Sequence, residues 1–65
     1  MDRGNIVIVK DFRGQLLRRV VWEEFGTSVI VCTETEYKNW QQTGLEPKVV
    51  GFPYEDVERE PAISV

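Results

Sequence analysis

Apolar residues in the first half of the chain crowd together instead of alternating cleanly with polar ones. Asn5-Ile6-Val7-Ile8-Val9-Lys10 is rich in β-branched side chains and predicts a strand. Asp11-Phe12-Arg13-Gly14 follows, with Asp opening a type I turn and Gly closing it in a bulge, a common chemistry for a three-residue hairpin loop. The chain returns through Gln15 to Glu24, carrying Leu16, Leu17, Val20, Val21 and Trp22. Gly26 then stands at the first central position of a second tight turn, where a type II′ hairpin needs a positive φ. Val29-Ile30-Val31-Cys32-Thr33 completes a three-stranded antiparallel meander.

The pattern changes after Cys32. Thr33-Glu34-Thr35-Glu36 matches a capping box, in which the Thr hydroxyl accepts one backbone N–H and the Glu three residues on accepts another. Tyr37 and Trp40 are three apart and share a helix face. Gly44 suits the left-handed residue that ends a helix, Leu45 the apolar contact that goes with it, and Pro47 prevents the helix from resuming. These signals predict a helix over about 34–43. Lys48-Val49-Val50-Gly51-Phe52 reads as a fourth strand, Pro53 to Asp56 as a turn or one turn of tight helix, and Val57-Glu58 as a further short pairing. Residues 59–65 form a tail that either frays or adds Ile63 and Val65 to a sheet edge. The expected fold is α+β, mainly β, partly barrel-like, in one small domain over 1–65.

Counting outward from the two turns sets the register. Val9 then faces Leu17, Val7 faces Arg19 and Ile6 faces Val20. Beyond the second turn Glu24 faces Val29, Trp22 faces Val31 and Val21 faces Cys32. One side of the sheet carries Ile6, Ile8, Leu16, Val20, Trp22, Val29 and Val31. The other carries Val7, Val9, Leu17, Val21, Phe25, Ile30 and Cys32. An antiparallel sheet with one wet face shows one apolar side, and this pattern predicts two. Each large apolar side chain left in water forfeits about 1.5–3 kcal/mol. The helix can cover one side through Tyr37 and Trp40. The other needs a curled sheet, a folded-over last strand, or another chain.

The run Gly51-Phe52-Pro53-Tyr54-Glu55-Asp56-Val57-Glu58 resembles the closing segment of a Src-homology-three-like barrel, in which a strand with Gly and Pro enters a tight helical turn before a short last strand. The resemblance covers about eight residues and implies a barrel-like topology. The acidic, tyrosine-rich first loop and the paired tryptophan of the peptide-binding members have no counterpart here, so no proline-peptide groove is implied. The chain as a whole is similar to small uncharacterised bacterial proteins, a likeness that implies no site.

Length sharpens the burial question. A domain of 65 residues buries only about 60% of its unfolded surface, and small domains are commonly stapled by disulfides, metal or a partner subunit. Cys32 is the single cysteine and there is no histidine, which removes an internal disulfide and makes a structural zinc site improbable. Oligomerisation gains weight by elimination. The net charge of −3, with eight basic and eleven acidic residues, argues against phosphate neutralisation, so nucleic acid is an unlikely partner. The N-terminus lacks the pattern of a signal peptide and no apolar run is long enough for a membrane span, so the expected location is a reducing cytoplasm.

Little in the chain points to chemistry. Cys32 has no histidine to activate it and sits in an apolar strand, so it reads as a buried structural cysteine. Glu55, Asp56, Glu58 and Glu60 match no calcium loop and read as a solvated turn. Arg18 and Arg19 point to opposite faces of one strand, their stems lying on apolar surface. No catalytic, cofactor or metal residues are expected. The possible partner-binding residues are Trp22, Trp40, Phe52 and Tyr54, with packing in the core as the plainer alternative. The expectation is a non-catalytic interaction or structural module, a homo-oligomer or one that packs on a protein partner. An accessory protein that regulates a larger bacterial or phage protein comes second, and a weak nucleic-acid binder third.

Overall fold

The computed structural model describes residues 2–60. Five strands, β1 (Ile6–Lys10), β2 (Leu16–Phe25), β3 (Ser28–Cys32), β4 (Val50–Pro53) and β5 (Val57–Arg59), form one sheet in the order β4-β3-β2-β1-β5. Every ladder is antiparallel. The helix α1 (Glu34–Thr43) follows β3, and a three-residue 3-10 turn (Tyr54–Asp56) joins β4 to β5. The mainly β architecture with one short helix is the expected one.

The turns form as their residues require. Gly14 donates its N–H to the Asp11 carbonyl at 3.0 Å and takes φ 80°, while Asp11 Oδ1 accepts from the N–H groups of Arg13 and Gln15. Gly26 takes φ 61° in the two-residue loop between Phe25 and its partner Ser28. The first hairpin therefore holds the expected register, with Ile6 opposite Val20 and Val9 opposite Leu17.

The second hairpin departs from the count. Its register shifts between Val21 and Glu23, so Val21 opposes Val31 and Val20 opposes Cys32, while Glu24 keeps Val29. Trp22 is the inserted residue of a β-bulge, a feature that leaves one residue out of the ladder. A one-residue shift exchanges the faces of everything beyond it. Val29 and Val31 thus join Val7, Val9 and Val21 on one side, and Cys32 falls on the side of Ile6 and Val20. The expected division of the two faces is wrong from the bulge onward, Phe25 included.

The bulge sorts the valines into a single core. Val7, Val9, Val21, Val29, Val31 and Val57 form one buried cluster, with Leu17 and Phe52 packed against it. Curling of the sheet encloses that side. In a flat five-stranded sheet the edges lie about 19 Å apart, four strand spacings. A three-residue 3-10 turn rises only about 6 Å. Because that turn links edge strand β4 to edge strand β5, the sheet must coil until the two edges approach. It remains open, since no ladder among the described residues joins β4 to β5. A coil this tight leaves room for small, stiff side chains, and valine meets that need.

The outer side is covered in part by α1. Thr33 caps the helix by accepting from the Glu36 N–H at 3.1 Å. Glu36 does not complete the box as expected, and its carboxylate accepts instead from the Lys48 N–H at 3.4 Å. Gly44 ends the helix at φ 77° and donates to the Trp40 carbonyl. Leu45, expected to make the apolar contact that accompanies the helix stop, is 67% exposed, while Pro47 is buried. No residue of α1 is fully buried. Arg59 belongs to β5, and the Glu60 N–H donates to the Ile6 carbonyl at 3.3 Å, so the ordered chain runs further than the expected tail allows. Ile63 and Val65 lie outside the described residues.

Candidate functional site

The four aromatic residues singled out in the sequence separate into two pairs on opposite sides of the sheet. Trp22, placed by the bulge, meets Trp40 edge to face with ring centroids 4.7 Å apart, and Tyr37 meets Trp40 at 5.5 Å in the same manner. This cluster docks α1 on the outer side. Gly4 makes room for it, since a Cβ there would lie 3.0 Å from the Tyr37 hydroxyl. Arg3 lays its guanidinium 3.9 Å from the Trp22 ring centroid and donates through Nε to the Trp22 carbonyl at 2.7 Å. Nothing in the sequence flags Arg3, because its partner exists only once the bulge has formed.

Phe52 and Tyr54 belong to the other side. Phe52 opposes Val29 in β4 and packs against the valine core. Tyr54 opens the 3-10 turn and donates its hydroxyl to Glu24, a bond that holds the phenol above its ordinary range. None of the four is fully buried.

The largest concavity lies beside edge strand β4. It is a groove of about 410 Å³ lined by the apolar Leu17, Val31, Val50 and Phe52, by Arg19 and Cys32, and by Thr33, Glu36 and Lys48. Its lining is drawn from β2, β3 and β4, the start of α1 and the segment before β4. The segment between α1 and β4 borders it through Lys48, and Leu45 and Val49 (42% exposed) in that segment and Val50 (60% exposed) at the start of β4 face solvent. The Glu36–Lys48 hydrogen bond and buried Pro47 hold that segment in place. Phe12 (93% exposed), Leu16 and Phe25 are also wet, at the two hairpin ends.

The polar residues are accounted for structurally. Cys32 is buried, and that burial, with the Glu36 charge second, pushes its thiol pKa up, away from a reactive thiolate. Arg18 reaches to the outer side, opposite to Arg19 as expected, but its guanidinium is not left to water alone: it bridges Glu34 and Glu60, donating to both Glu60 oxygens at 3.2 Å. Arg19 points the other way into the groove and donates to the Arg18 carbonyl at 2.8 Å. Among the described residues no cluster of acids and cysteine is arranged to hold a metal, and no helix is long and apolar enough to cross a membrane. No family model, curated protein or solved structure matches this chain.

Proposed function

We propose that this chain is a small non-catalytic interaction module that self-associates through the β4 side of its coiled sheet. One observation carries the reading. The sheet coils around its core and the helix covers part of the outer side, yet Leu45, Val49 and Val50 remain wet in the run that leads into edge strand β4, next to a groove whose lining includes Leu17, Val31 and Phe52. Edge strands and clustered exposed apolar residues are the usual substrates of association. A second copy suits this surface, because Glu46 and Lys48 flank Pro47 within the same segment. A two-fold axis through it sets the acid of one chain against the base of the other, as an isologous contact requires. Direct strand addition plays a minor part, since β4 is four residues long and Pro53 has no N–H to donate.

The non-catalytic reading is supported by the absence of histidine and by the buried thiol. The single free cysteine favours a reducing compartment. The Src-homology-three-like resemblance also remains a proposal, supported by a last strand that is interrupted by a 3-10 turn and pairs with the first.

Sedimentation equilibrium at micromolar concentration tests the reading. A dimer is expected, and Val50→Asp is expected to sediment as a folded monomer. A wild-type chain that stays monomeric, or a dimer indifferent to Val50→Asp, overturns it.

A further inference from the structure

Both tryptophans of the chain meet at one point, and a cation already sits on them. The Arg3 guanidinium is 3.9 Å from the Trp22 centroid and 5.6 Å from that of Trp40, within the range at which a ring quadrupole attracts a cation. Two further features favour positive charge there. The Trp22 carbonyl, left by the bulge, accepts from Arg3 Nε at 2.7 Å. Trp40 also stands in the last turn of α1, where the helix dipole is negative and no basic side chain offsets it. Three independent sources of attraction thus converge on one planar cation.

The occupant is held at the surface. Arg3 is exposed and lies in the turn that precedes β1, tied down through Gly4 to the Val21 carbonyl and through Asn5 to its neighbours. We propose that this place is a recognition site for a guanidinium side chain of a partner, and that Arg3 is its intramolecular occupant, which an incoming arginine displaces. Planarity sets the selectivity, because a guanidinium stacks on the indole face while donating in plane to the carbonyl, and an ammonium cannot do both. The site shares no residue with the β4 groove and does not rest on self-association.

Arg3→Gln empties the site without altering the rings. The two indole N–H resonances report on it directly, since the chain has no other tryptophan. With N-acetyl-Gly-Arg-Gly-amide as probe, both signals of Arg3→Gln are expected to shift saturably. Binding should be about tenfold tighter than to wild type, where the probe competes with Arg3. The lysine tripeptide is expected to bind more weakly and the glutamine tripeptide not at all. A folded Arg3→Gln with no saturable shift, or with equal response to the glutamine tripeptide, overturns the proposal and leaves Arg3 as a cap on the bulge. Should Arg3→Gln fail to fold, Arg3→Lys serves. The arginine tripeptide must then bind it more tightly than wild type, and equal affinity for both overturns the proposal.

Discussion

Cys32 shows how a residue's environment settles its chemistry. It lies at 3% exposure opposite Val20, and burial raises its pKa above the ordinary 9.0. A raised acid pKa means that the native chain keeps a proton the unfolded chain releases. The stability this confers is fully present below the ordinary thiol pKa and declines as pH rises through the native value. A disulfide reagent at pH 8 should therefore label the native chain slowly and the denatured chain at once. Equal rates would show that the thiol is open to solvent. The structural role of Cys32 follows from its apolar strand and the lack of a histidine. The face it occupies does not, because a bulge carries no local signature in Val20-Val21-Trp22-Glu23.

At the scale of elements, the chain is punctuated by residues that act locally, and these were legible. The Asp11–Gly14 loop, the Gly26 turn, the Thr33 cap and the Gly44 stop all form within a few residues of themselves. The helix spans Glu34–Thr43, as the signals predict. Its stability leans on those signals more than on burial, since none of its residues is fully buried. Thr33→Ala should cost about 1 kcal/mol. Chemical denaturation measures it, and a loss below a few tenths would mean that the cap bond is already replaced by water. What the signals did not convey is where Glu36 and Leu45 turn. One carboxylate had two N–H groups within reach, and the fold offered Lys48. Leu45 is left 67% exposed, and Pro47 is the residue of that segment that is buried.

The whole molecule answers the question raised by two apolar faces. The sheet coils, and a three-residue turn brings Val57 across to complete a core made of valines. β5 is only three residues long, so it is held to the body largely by that one side chain and by its ladder with β1. Val57→Ala removes two buried methyl groups' worth of apolar surface and should cost about 2 kcal/mol. In a domain of this size that lowers the melting temperature by roughly 10 °C. A change within error would show that β5 does not close the core. The candidate sites were half legible. Trp22, Trp40, Phe52 and Tyr54 were named as one set, and they serve two separate places. Arg3, Val49 and Val50 entered only with the coordinates, because their neighbours are distant in sequence.

The chain alone determined what short-range chemistry can determine: strand-forming runs, two glycine turns, a capped and terminated helix, and more apolar surface than one sheet face can hold. Tertiary structure decided which face each residue beyond the bulge occupies, how the second face is closed, and which side chains are left wet. The reason is one of range. A turn or a cap is stabilised by atoms a few residues apart, whereas a single inserted residue changes partners along an entire strand and is chosen only when all five strands compete to bury their valines together.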